Sequence, residues 1–139
     1  MRDPAWLNAA EHAAAVYPRE ACGVLLGTEG ALEFVALPNR ASAPGRYEID
    51  PGALLGALRG PAALIAFVHS HADAGSGFSR EDREHALLEG RPLWPGVQYL
   101  VISVERGRAV EGRMYRWDPS LRTFTETEVH DWTDDSRIR

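Results

Sequence analysis

In LIAFVHSHADAGSGFSREDREHALL, residues 64–88, an apolar run carries His69 and His71, a glycine-bearing loop follows, and Asp82 stands near the start of a helical pattern. Successive side chains of a strand point to opposite faces, so His69 and His71 share a face, about 7 Å apart, while Ser70 points away. Two imidazoles so placed can converge on a zinc ion about 2.0–2.1 Å from each nitrogen. A helix launched from the strand end brings its first turn back over that end, and Asp82 with it. Two histidines and an aspartate make three protein ligands and leave a tetrahedral position for water, the arrangement of a catalytic zinc. Activating that water needs a base, and none of the three ligands is free to serve. Glu20 in YPREACGVLLG (17–27) is a candidate at the entrance to a strand, but spacing does not single it out among 20 acidic residues.

Each of these residues also has a plainer explanation. A His-x-His pair alone is a weak motif, explained as well by two polar residues at a strand end. Ser79-Arg80-Glu81-Asp82 fits the Ser/Thr-x-x-acid signature of a helix cap, which needs no chemistry. The readings are compatible, because Ser79 can cap the helix and still offer its hydroxyl to a site. Asp73 reads as a solvated loop residue or as a competitor for the metal. Cys22, beside Gly23 in an apolar run, reads as a small buried hydrophobe, with a thiol nucleophile as the alternative. His12, His85 and His130 have no ligand-spaced partners and read as surface or packing residues.

The elements that must position this cluster follow from composition and pattern. The chain has 139 residues, 45% apolar and 25% charged, the profile of one globular domain. A core of that size is stable without disulfides or a structural metal, so a metal here serves chemistry more than folding. The single cysteine excludes an intrachain disulfide and a cysteine-rich zinc site. Net charge is −5 with no basic block, which argues against a nucleic-acid partner. No signal-peptide core and no run near the roughly 20 apolar residues of a membrane span is present, so no membrane association and a soluble, cytoplasmic protein are expected. A helix is predicted over 3–16, closed by Pro18, then a hairpin of 21–27 and 31–38. The loop 39–50 regains an extended segment around Tyr47. A helix is capped by Asp50 with Pro51 at its first position, and a strand covered on both faces runs over 62–70. A short helix over 79–89 and strands at 97–105, 108–118 and 121–130 complete a mixed α/β domain, with a single mixed central sheet flanked by helices. The domain is drawn as 1–130, with 131–139 as a polar and disordered tail.

His69-Ser70-His71, seven residues, Ser79, two residues and Asp82, with a glutamate upstream, resemble the signature of the JAMM (MPN+) metalloproteases. YPREACGVLLG resembles that family's first-strand segment, RYEIDPGALLGAL (46–58) the stretch before the zinc strand in bacterial members, and PGVQYLVISV (95–104) the strand after the zinc helix. The resemblance implies the MPN/JAMM fold, which is related to that of the cytidine deaminases. It implies zinc (Zn2+) ligated by His69, His71 and Asp82, with Glu20 as general base and Ser79 as hydrogen-bond donor to the oxyanion. Only positions 83–96 separate Asp82 from the next strand, which resembles the compact prokaryotic type. The implied reaction is hydrolysis of an amide after the C-terminal Gly-Gly of a ubiquitin-like or sulfur-carrier protein, whose tail could add to a sheet edge near the zinc with 39–50 as a wall of the groove. A homodimer is compatible with this reading. One departure stands out: the family usually has proline after the second histidine, where Ala72 implies a more mobile loop. The alternative function is a non-catalytic MPN-like interaction scaffold, against which the intact ligand set argues. A zinc deaminase needs a Pro-Cys-x-x-Cys pair that Cys22 alone cannot supply, and His-Glu-x-x-His is absent.

Overall fold

The structure is a computed structural model that describes residues 3–28 and 30–134. Its elements are α1 (Pro4–Val16), β1 (Cys22–Thr28), β2 (Ala31–Leu37), α2 (Pro51–Ala57), β3 (Ala63–Ala72), α3 (Arg80–Ala86), the two-residue strands β4 (Leu87–Leu88) and β5 (Arg91–Pro92), β6 (Gln98–Glu105), β7 (Arg108–Asp118) and β8 (Thr123–Asp131). Six strands form one sheet in the order β2-β1-β3-β6-β7-β8, and β4 pairs with β5 apart from it. The predicted mixed sheet is therefore present: β3 pairs antiparallel with β1 and parallel with β6. A parallel pair needs a crossover, and the chain from β3 to β6 supplies one that carries α3.

The sheet is covered on both faces, which explains why the β3 run lacks alternation. On one face Leu25, Ala66, Val68, Leu100 and Ile102 pack against the alanine-rich side of α1, with Trp6 and Trp132 in the same cluster. Asp3 caps α1 by accepting from the Ala5 amide at 2.8 Å, and Pro4 fills the position where an amide would lack a partner. On the other face Cys22, Val24, Leu26, Phe67 and Tyr99 meet Ala86 of α3 and the partly buried Leu54 and Ala57 of α2. The strand period of two then puts His69 and His71, like Phe67, on the face of α2 and α3.

Three boundaries differ from the pattern-based expectation. β3 continues through Ala72, because His69, Ser70 and His71 pair with Val101, Ile102 and Ser103 of β6. His71, one residue past the predicted end, thus lies inside the strand with His69. α3 stops at Ala86, where Leu87 turns extended and pairs with Pro92 through a turn at Glu89 and Gly90, both with positive φ. The domain also extends beyond His130: Asp131 pairs with Glu111, the Trp132 amide donates to Val110 O at 2.8 Å, and the Trp132 side chain is 1% exposed. Gly112 makes room for that indole, since a Cβ there would lie 2.7 Å from the ring. Asp131 and Trp132, assigned to the tail by pattern, thus pack with the domain, and residues 135–139 of the predicted tail lie outside the described residues. Among the described residues no helix is long and apolar enough to cross a membrane.

Candidate metal centre

β3 and the first turn of α3 bring His69, His71 and Asp82 together. His69 Nε2 lies 3.0 Å from Asp82 Oδ1, and His71 Nε2 lies 3.2 Å from Asp82 Oδ2. The two Nε2 atoms are 3.2 Å apart. All three residues are buried. At the other side of its ring, His71 Nδ1 sits 2.9 Å from Gly75 O. A carbonyl only accepts, so Nδ1 carries the proton of the neutral ring and Nε2 presents a lone pair. That lone pair faces a carboxylate oxygen and a second imidazole nitrogen, an arrangement that calls for a cation between them. For bonds of about 2.0–2.1 Å, neighbouring corners of a tetrahedron lie about 3.3 Å apart, close to the separations found here. The donor set fits a divalent ion.

Electrostatics supports the same reading. Burial opposes ionisation of Asp82, but its contacts with the His69 and His71 rings and a bond from the Ser79 amide hold its carboxyl well below the usual range. Complete burial lowers His69 and favours its neutral, ligating form. Burial acts the same way on His71, but its contact with Asp82 outweighs it and moves that ring upward. Tyr47 stacks on His69 with ring centroids 4.4 Å apart and planes within 16°.

Glu20 and Ser79 line one cleft of about 470 Å³ together with His71, Asp82 and Tyr47. Glu20 is 8% exposed. Burial pushes its carboxyl up to about 7, opposed by His71 and assisted by the negative charge of Asp82. Ser79 fills the capping role foreseen for it. Its Oγ accepts from the Asp82 amide at 3.0 Å, while its own amide donates to Asp82 Oδ2 at 2.9 Å, which completes a capping box. The cap therefore aims the Asp82 carboxylate, and Ser79 itself lines the cleft.

Pattern reading did not find two residues that build this site. Ser70, which points away from the histidine face, accepts from the Ala21 amide at 2.7 Å and so ties the chain beside Glu20 to β3. Asn39 spends its whole amide group on the surroundings: Nδ2 donates to Glu20 O at 2.9 Å and Arg46 O at 3.0 Å, and Oδ1 accepts from the amides of Ala41 at 2.9 Å and Glu48 at 3.0 Å. One side chain thereby joins the segment of Glu20 to the loop of Tyr47. Gly45, Arg46 and Tyr47, from the loop 39–50, line the cleft.

Other candidates take different places. Asp73 is not a competing ligand: Tyr17 Oη donates to its Oδ2 at 2.5 Å and the Arg106 amide to its Oδ1 at 2.8 Å. The Asp73 amide donates to Val104 O at 2.7 Å, so Ala72 in place of proline leads into an anchored loop, not a loose one. Cys22 is buried, and burial pushes its thiol up to about 11, which removes the nucleophile alternative. His130 is a packing residue, stacked 3.9 Å from Trp6. His12 tilts against Phe34, and His85 is an exposed residue at the cleft rim.

Comparison with known proteins agrees with this geometry. Residues 3–118 match the family described as prokaryotic homologs of the JAB domain. A protein of Haloferax volcanii named desampylase is 32% identical, with 96% of this chain and 84% of that protein covered. A solution structure of a protein from Salinibacter ruber aligns with TM-score 0.63 and 27% identity over 97% of this chain and 94% of that one. Another, from Desulfitobacterium hafniense, aligns with TM-score 0.62 and 26% identity over 88% and 83%. The family match spans most of the chain and includes every residue of the cluster, so this protein belongs to the prokaryotic homologs of the JAB domain and is a compact hydrolase of the JAMM/MPN type.

Proposed function

We propose that this chain is a zinc-dependent isopeptidase that hydrolyses the amide after the C-terminal Gly-Gly of a ubiquitin-like or sulfur-carrier protein. The observation that carries the proposal is the convergence of His69 Nε2, His71 Nε2 and the Asp82 carboxylate on one point, in a cleft that also holds Glu20. A zinc ion bound there supplies Lewis acidity, lowering the pKa of water to about 7 and polarising a carbonyl. Glu20 takes the proton from the attacking water and returns it to the leaving amine, a task suited to a carboxyl raised to about 7. Ser79 donates a hydrogen bond from its hydroxyl to the oxygen on which negative charge develops, a contribution of about 3–4 kcal/mol for donors of this kind. Gly45, Arg46 and Tyr47 wall the cleft on that side.

The substrate class is supported by the desampylase of Haloferax volcanii, similar over nearly the whole chain. It is supported too by the short connection between α3 and β6, which has no room for a long insertion. The alternative, a scaffold that binds partners without hydrolysis, has no use for three buried ligands and a buried carboxyl beside them. The test is incubation of zinc-loaded protein with ubiquitin-like carriers bearing C-terminal adducts, read by mass spectrometry. Release of a carrier ending in Gly-Gly is the expected result. Intact adducts and no stoichiometric zinc in the purified protein would favour the scaffold.

A further inference from the structure

We propose that Arg113 and Tyr115, both on β7, are positioning residues for His71, acting through Ser76 and the Gly75 carbonyl. The inference rests on the metal reading above and deepens it. His71 faces the ion site with Nε2, and its Nδ1 donates to Gly75 O at 2.9 Å. Such a bond fixes the tautomer and the ring plane of a ligand. Gly75 has a φ of 76°, a conformation natural to glycine, and it lies in the loop between β3 and α3. A loop carbonyl holds a ring only as firmly as the loop itself is held.

Ser76, the next residue, is where the loop is gripped. It is buried, and both its side chain and its carbonyl are bonded to β7. Arg113 Nε donates to Ser76 Oγ at 3.0 Å, and Tyr115 Oη donates to Ser76 O at 2.8 Å. Arg113 is itself fixed, with Nη2 3.2 Å from Glu111 Oε2 and Nη1 paired to Glu126. A guanidinium braced by two carboxylates presents its Nε–H in one direction. At the other end of the loop, Asp73 is tied to Tyr17 and the Arg106 amide. Gly75 is thus suspended between two anchored residues, with its carbonyl on His71. His69 is held differently: among the described residues its buried Nδ1 has no hydrogen-bond partner, and its ring lies against Tyr47. The brace on β7 therefore serves one ligand and not the other.

The experiment compares the parent chain with Ser76→Ala, Tyr115→Phe and their double variant, and with Arg116→Gln as an exposed control on the same strand. Zinc affinity is measured by competition with a chromophoric chelator, the His71 ring nitrogens are observed by long-range proton–nitrogen NMR, and metal-free protein is melted. Each single variant is expected to weaken zinc about 10-fold, the lower end of the loss found when a ligand's hydrogen-bond partner is altered. The double variant is expected to lose less than the product of the two, because both bonds act through one peptide. Arg116→Gln stays within about twofold of the parent. Affinities that remain at the parent value while melting temperatures fall would overturn the proposal, since Ser76 would then be a structural anchor only. Ligation of His71 through Nδ1 in the zinc-loaded parent would overturn it without any variant. A parent that takes up no zinc overturns the metal reading and this inference together, whereas tight zinc binding by parent and variants alike overturns only the positioning role.

Discussion

Replacing Glu20 with glutamine tests whether the proposed base is held at a cost to stability. Burial raises this carboxyl from 4.5 to about 7, so the folded metal-free chain binds its proton more tightly than the unfolded chain does. The stabilisation that protonated Glu20 gives is fully present below about pH 4.5 and is lost as pH rises through about 7. A neutral glutamine never suffers that loss. A shift of about 2.5 units at 1.36 kcal/mol per unit gives an upper bound near 3 kcal/mol, and the opening of Glu20 onto a cleft reduces this to about 1–2 kcal/mol. For a domain of this size the gain corresponds to about 3–8 °C. Thermal melts of chelator-treated parent and Glu20→Gln are compared at pH 8 and pH 4.5, so that other titrating groups cancel in the difference. The variant should melt higher at pH 8, with the gap closing at pH 4.5. In the zinc-loaded form it should keep its metal and lose hydrolysis by about 10²-fold or more. A pH-independent gap, or a variant less stable at pH 8, would refute the buried-carboxylate argument, and retained hydrolysis would remove Glu20 as the base.

Three further substitutions probe the site and its supports. Asp82→Asn should weaken zinc by more than about 100-fold, beyond the usual effect of altering a ligand's partner; equilibrium dialysis reads this, and near-parental affinity would remove Asp82 from the ligand set. Asn39→Ala strips partners from Glu20 O, Arg46 O and the amides of Ala41 and Glu48. It should cost about 1–3 kcal/mol in urea denaturation and lower turnover about 10-fold with zinc still bound, whereas unchanged turnover would detach Asn39 from the site. Trp132→Ala empties a core position and should cost about 3–5 kcal/mol, while a loss below about 1 kcal/mol would return the domain boundary to His130.

What pattern reading recovered was local in origin. Strand period alone put His69 and His71 on one face, and the Ser79-to-Asp82 spacing announced a capping box that the structure contains. The β3 run lacks alternation because both of its faces are covered, and that too was visible. What it missed depends on partners distant in sequence. Asn39 lies in an irregular loop, where no periodicity marks an amide that bonds Glu20 O and the Glu48 amide at once. Ser70 faces away from the ion site, and its value rests on β1 lying alongside β3. Trp132 stands among charged residues that read as a solvated tail, yet its indole fills the gap above Gly112. Two short bridges, Leu87 to Pro92 and Leu88 to Arg91, cut short a helix whose composition runs on unbroken.

The account stands most directly on where the ion sits. Crystals of zinc-loaded protein measured at the zinc absorption edge should show one strong anomalous peak bonded to His69 Nε2, His71 Nε2 and an Asp82 oxygen, at about 2.0–2.2 Å, with water completing the sphere. A peak elsewhere, or a fourth protein ligand filling the open corner, would contradict it.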